Sequence, residues 1–448
     1  MGNNDLRRKS PDLFQLNGKP KWNIAALQAV QHIIAMLAGN ITPPILIANA
    51  LNLASDERIM LVQAAMLIGG ITTLLQLFPV FGFGMGLPNV MGVAFAYMPI
   101  LMTIGLTRGV GAIFGAQIVA AFVSIFIGMG IGKIRRFFPP IVSGTVVLSI
   151  GLSLYSSAIT NMAGGSGSEG FGSYRFWLVA VVVLLVTLVC NLFGKGYVKL
   201  SGILTGIGAG YIASLIIGAV TGTPMVSFDS VKESAIFAFP RFFHFKMIFD
   251  PASIIAMILM YVVQSVQTIG DVSSTAIGAF GREATDKEIG GAIKMQGVTG
   301  MIGALIGGLP TDPYSQNVGL IVTTKVVAKR VFVIVGGLLV VIGLFPVLGA
   351  AITTIPYPVL GGATISVFAA ITMSGIQLIT EQPLNYRNKM IVGVSLALGV
   401  GITMVSSAID GFPAAVRDII GSSPIIVAFV TSFVLNIVTP PDDTPAED

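Results

Sequence analysis

The 448 residues are 54% hydrophobic and only 10% charged, with mean hydropathy +0.89. Soluble domains carry about 25% charged residues, which excludes an ordinary soluble core. The formal charge of +5 is spread over short loops between apolar runs, which excludes a nucleic-acid-binding face.

Lipid requires backbone N–H and C=O groups to pair internally, so the runs are helices or a closed barrel. They are continuous rather than alternating and reach the roughly 20 residues that span a bilayer, which predicts helices. The one cysteine, Cys190, lies in such a run and reads as a buried, unreactive thiol.

Residues 1–22 form a polar, basic N-terminal segment without the apolar core of a cleavable signal peptide, so the first span is expected to direct insertion. Fourteen spans are expected, near 23–50, 58–80, 86–105, 109–131, 139–159, 174–193, 198–220, 251–280, 287–308, 314–328, 331–352, 356–379, 388–409 and 420–438. The third and tenth are interrupted by Gly and Pro. The acidic tail 440–448 is expected to be disordered. Eighteen Lys and Arg fall in the N-terminus and the loops after even spans, against seven on the other side. The positive-inside rule then places both termini in the cytoplasm of a multi-pass protein of the cell membrane.

The two interrupted spans share a motif. GLP opens "GLPNVMGVAFAYMP" at 86 and "GLPTDPYSQNVGL" at 308, an offset of 222 residues, close to half the chain. Corresponding broken segments in two halves point to a transporter site. Seven spans per half is an odd number, so the halves insert in opposite orientations. Pro310 and Pro313 lack amide hydrogens, and a helix is expected to begin near Ser315–Gln316. Its unpaired first amides and positive dipole end suit a ligand rich in carbonyl oxygens.

Two other spans carry polar stripes. In the eighth, Gln264, Gln267, Asp271 and Ser274 recur at helical spacing. An intramembrane carboxylate is costly, which marks Asp271 as a functional or site-supporting residue; helix–helix bonding is the alternative. In the first, Gln28, Gln31 and His32 share a face, and His32 is expected to support the site rather than touch the ligand. Asp312 and Asp410 sit near span ends, where simple solvation is one reading of each. No metal cage, phosphate loop or nucleophile–base set is visible, which argues against a membrane enzyme.

"QNVGLIVTTK" at 316–325 resembles the signature of the nucleobase–ascorbate transporter family (nucleobase:cation symporter family 2), with Gln316, Asn317, Gly319, Thr324 and Lys325 in place. "QHIIAM" at 31–36, "LPNVMGVAFAYMP" at 87–99 and "QTIGD" at 267–271 are similar to its motifs in the first, third and eighth spans. The resemblance is to the branch that carries xanthine and uric acid.

It implies an all-α fold of two inverted seven-span repeats. Core spans would occupy 23–137 and 251–353, and gate spans 138–250 and 354–439. A homodimer would work by an elevator-like motion. Phe95, Gln267, Ser315, Gln316 and Asn317 would bind substrate; His32, Asp271, Gln296 and Thr324 would serve coupling or support. The partners implied are a nucleobase, a proton or other cation, and membrane lipid, with no metal or cofactor. Gln267 and Gln296 stand where the family commonly has acids. Gln267 can imitate a neutral acid toward an imide edge but cannot release a proton, which leaves Asp271 as the expected proton carrier. The expected function is import of purine bases. The alternatives are a permease for uracil or another nucleobase, and an anion carrier or channel of the same architecture.

Overall fold

The computed structural model describes residues 10–134, 139–195, 197–413, 417, 420–421 and 423–440. Arg7, Arg8, Lys9, Arg135, Arg136 and the acidic tail from Pro441 lie outside the described residues.

Each expected span contains a helix. The first half holds α1 (Trp22–Ala50), α2 (Ser55–Leu77), strand β1 (Met91–Val93), α3 (Met98–Arg108), α4 (Val110–Met129), α5 (Pro140–Met162), α6 (Tyr174–Phe193) and α7 (Gly202–Thr221). The second holds α8 (Pro251–Phe280), α9 (Asp286–Ile306), strand β2 (Thr311–Pro313), α10 (Ser315–Thr324), α11 (Lys329–Gly343), α12 (Pro346–Thr353), α13 (Tyr357–Ile379), α14 (Tyr386–Met404) and α15 (Pro424–Val438). Nine described helices are long and apolar enough to cross a bilayer, or ten if α11 and α12 form one bent span.

That bend corrects the expectation of a continuous span over 331–352. The chain turns by 82° between α11 and α12. Pro346 opens α12 and Phe345, before it, is extended at φ −111°, ψ 91°. Proline disfavours the helical conformation in its predecessor and starts helices well, so one residue both ends and begins a helix. The surrounding apolar run hides this in the sequence.

The helices pack in two sets. α4 lies along α9 and α8, and α2 lies along α11 and α1; α5 lies along α13, with α6, α7, α14 and α15 around that pair. Lipid supplies no hydrophobic drive between helices, so close approach of small residues matters. A Cβ at Gly151 would stand 2.2 Å from Thr372 Oγ1, and one at Gly375 would stand 2.3 Å from the Leu148 amide.

The segment after α7 crosses to the other set. Ala238 N–H donates to Leu344 O, Phe243 N–H to Leu305 O and Ile248 N–H to Gly111 O, at 2.8–3.1 Å.

Candidate functional site

The interrupted segments meet at the centre. β1 and β2 pair antiparallel, with Met91 opposite Pro313, Gly92 opposite Asp312 and Val93 opposite Thr311. The 222-residue offset also maps 91 onto 313. The local two-fold axis of the ladder therefore passes through the very residues that the repeat makes equivalent, and the opposed strand directions fit inverted halves.

An open sheet edge is untenable at membrane depth unless side chains complete it. Here they do. Val93 N–H donates to Asn40 Oδ1 of α1 at 2.8 Å, and Met91 N–H to Thr73 Oγ1 of α2 at 3.0 Å. Asn40 and Thr73 are fully buried. Gly92 makes the crossing possible, since a Cβ there would lie 2.1 Å from the Tyr314 ring. The Tyr314 hydroxyl donates to Val93 O at 2.9 Å and fastens the strands.

Both strands lead into half-helices. β1 passes through a 3-10 turn, Phe95–Tyr97, into α3; β2 passes through Tyr314 into α10, which begins at Ser315 as expected. The first amides of each helix lack intrahelical acceptors beside the crossing.

The expected binding residues divide by exposure. Ser315 and Gln316, at the start of α10, are exposed, and Gln267 on α8 is half-buried. Ser315 Oγ donates to Asp271 Oδ1 at 2.8 Å, tying the start of α10 to α8 one turn beyond Gln267. Phe95 is buried and packs edge-on against Phe368 of α13, with ring centres 5.3 Å apart, so it bridges the two helix sets.

Asn317 is fully buried on another face of α10. Its amide donates to His32 Nδ1 at 3.1 Å and to His32 O at 3.0 Å, and the His32 ring tilts against Phe332. These two residues brace α10 against α1 and α11. Thr324 closes the half-helix: its hydroxyl donates to Leu320 O at 2.7 Å. Lys325 follows in the left-handed conformation with its ammonium on Gly278 O.

Asp312 is not a solvated span end: it is 3% exposed. Its Oδ1 accepts from Gln296 Nε2 at 3.1 Å and lies 3.2 Å from Thr268 Oγ1. Gln296 thus adjoins a carboxylate supplied by β2. Around the crossing, buried polar atoms lack partners: both amide atoms of Gln264, Asp271 Oδ2 and Asn317 Oδ1. A separate cavity of about 330 Å³, between the start of α2, the 234–244 loop and Pro346, contains none of the expected site residues.

The model of the Permease family, Xan_ur_permease, matches residues 23–408. The chain is 36% identical to the uric acid permease PucJ of Bacillus subtilis over 418 residues, covering 91% of each protein. It is 35% identical to the putative purine permease CPE0397 of Clostridium perfringens, over 94% of this chain and 91% of that one. With the xanthine permease XanQ of Escherichia coli the identity is 30%, over 97% and 96%.

Among solved structures, the transmembrane domain of the cyanobacterial bicarbonate transporter BicA aligns at TM-score 0.58 and 13% identity, covering 96% of this chain and 98% of that one. The murine Slc26a9 anion transporter aligns at 0.61 and 11% identity, covering 92% and 67%. At these identities the likeness is one of fold, an inverted-repeat membrane transporter. The chain belongs to the xanthine and uric acid permease family, within the nucleobase–ascorbate transporters, and is a multi-pass membrane protein of a transporter family rather than an enzyme.

Proposed function

We propose that this protein imports purine bases, xanthine or uric acid, across the cytoplasmic membrane in symport with a cation. The observation that carries the reading is the pair of amides beside the strand crossing. Gln316 is exposed at the start of α10, and Gln267 on α8 is half-buried beside Asp271, the residue that bonds Ser315 of α10. Each amide offers an acceptor beside a donor group, which complements the N–H and C=O of an oxidised purine. The unpartnered amide of Gln264, one turn before Gln267, adds a third such group. Ser315 completes the polar wall, and Phe95 supplies a ring edge and backbone on the opposite side.

Asp271 and the His32–Asn317 pair hold α10 in register, and Thr324 ends it. The helix set α1–α4 with α8–α12 is read as the moving core, and α5–α7 with α13–α15 as the gate of a homodimer. The bonds from the 238–248 segment to Leu344, Leu305 and Gly111 support reading it as the outer loop that joins the gate spans to the core. The Lys and Arg bias supports cytoplasmic termini. Relatives named for purines match at 30–36% identity, whereas the anion transporters match in fold alone, which favours a nucleobase over an anion.

The test is uptake of labelled xanthine, uric acid, hypoxanthine, guanine and uracil in a host lacking purine transport. Saturable uptake of xanthine or uric acid is expected. Uptake of none of the five overturns the reading, and preference for uracil moves the protein to another branch.

A further inference from the structure

Thr268 of α8, Gln296 of α9 and Asp312 of β2 form a ring of three contacts closed to water. Thr268 Oγ1 lies 3.1 Å from Gln296 Oε1 and 3.2 Å from Asp312 Oδ1, and Gln296 Nε2 lies 3.1 Å from the same Asp312 oxygen. The three residues are 0%, 6% and 3% exposed.

Each contact needs one hydrogen. With Asp312 ionised, the Gln296 amide supplies one and the Thr268 hydroxyl another, so the third contact sets two oxygens together with nothing between them. The backbone carbonyl of Gln264, also 3.1 Å from Thr268 Oγ1, competes for the same hydroxyl hydrogen. Turning the Gln296 amide over only moves the deficit, because its Oε1 then faces Asp312 Oδ1. A hydrogen on Asp312 Oδ1 closes the ring in one direction: Gln296 Nε2–H to Asp312, Asp312 O–H to Thr268, Thr268 O–H to Gln296 Oε1.

We propose that Asp312 is the residue that carries the transported proton, and that its ring with Thr268 and Gln296 is the proton's holding state. The inference rests on the transport reading above and names its coupling group. One proton binds the Asp312 carboxylate from the outside and leaves it toward the cytoplasm, restoring the carboxylate; no other bond forms or breaks. Gln267 and Gln296 cannot take this part, since amides release no proton at physiological pH. Asp271 differs at its bonded oxygen: Oδ1 accepts from Ser315 Oγ with the carboxylate ionised, and that contact needs no further hydrogen. The titratable groups facing Asp312 are Asp271 from α8, Tyr97 from the turn after β1 and Tyr314 beside it in the chain, with Tyr261 of α8 behind Tyr97. None of them is a cation that could neutralise an ionised Asp312.

Two measurements on the full-length protein test this. Asn is close in shape to a protonated Asp and keeps a hydrogen for Thr268, so Asp312→Asn is expected to fold. Infrared spectra of purified wild type without base should show the carbonyl stretch of a protonated carboxylic acid, and Asp312→Asn should lose that band. In proteoliposomes with an inward gradient of one pH unit, wild type should accumulate xanthine or uric acid up to about tenfold at one proton per base. Asp312→Asn should bring the base only to equal concentration. A band unchanged in Asp312→Asn, a pH-driven accumulation that survives in it, or accumulation driven by a sodium gradient alone overturns the proposal. A wild type that moves neither base defeats the transport reading instead, while the infrared band still decides where the proton sits.

Discussion

Replacing Gln264 with Met separates a structural from a binding role in one experiment. Gln264 is 2% exposed, and neither its Nε2 nor its Oε1 makes a hydrogen bond of normal geometry, although the side chain stands beside the Asp312 carboxyl. An unpaired buried polar group costs about 1–3 kcal/mol. Met has a similar length, no hydrogen-bond demand and enough freedom to fill the space. The base-free protein should therefore unfold at a higher temperature as Gln264→Met. The N–H and C=O of a bound purine supply the missing partners, so the same change should weaken binding by about 1–3 kcal/mol, or roughly 5- to 150-fold in Kd at about 1.4 kcal/mol per tenfold. The assay is thermal unfolding of purified protein with and without base, together with equilibrium binding. A ligand's shift of the midpoint follows its concentration over Kd, so the shift should shrink as the base-free midpoint rises. Wild-type affinity in Gln264→Met would remove Gln264 from the site, and a lower base-free midpoint would show that its amide is paired in the apo protein.

Other substitutions probe the same region. Gln316→Ala should weaken base binding by about ten- to a hundredfold with little effect on folding, because the residue is exposed; Gln316→Glu should reorder preference among xanthine, uric acid and uracil in competition assays. Gly92→Ala forces a Cβ against Tyr314 and should destabilise by at least about 1–3 kcal/mol in thermal unfolding, and adding Tyr314→Ala should recover part of the loss. Asp250 caps α8, accepting from Ser253 N–H at 2.9 Å and from Ser253 Oγ at 2.7 Å. Those two bonds hold its carboxyl below the usual carboxylate range against partial burial, with Arg108 adding attraction. A lowered value stabilises above the unfolded-state pKa and is lost as pH falls through the folded one. Asp250→Ala should thus cost about 1 kcal/mol at pH 7, with the gap to wild type closing below about pH 4 in unfolding curves.

The helices and the start of α10 were legible because apolar length and proline position are local signals. Ser315 and Gln316 come two and three residues after Pro313, and the polar stripe of α8 announces itself at helical spacing. The strand crossing was not legible. Three residues are too few to show a period of two, and the partner strand lies in the other half of the chain. Asn40 and Thr73 complete the edge of β1 from two helices on which they look like ordinary glue. The burial of Asp312 is hidden because sequence gives position along the chain but not depth, and its partners come from α8 and α9. Asn317 shows a related limit. A signature motif names the residue, but helical phase turns it toward His32 while its neighbour Gln316 stays exposed. The joint at Phe345–Pro346 lies inside an unbroken apolar run, where hydropathy carries no information about direction.

The ladder between Met91–Val93 and Thr311–Pro313 also has a consequence in time. Ala94 N–H bonds to Pro310 O and Tyr314 N–H to Val90 O just outside the paired residues, so both ends of the crossing depend on both halves. A ribosome adding about 5–20 residues per second needs on the order of 10–40 s to make the stretch that separates the two strands. Throughout that interval the first half carries a bare strand edge that water or the insertion machinery must cover. The third segment is therefore expected to settle at its final depth only after the tenth emerges, so nascent chains halted before residue 310 should leave Val90–Ala94 open to rapid amide exchange.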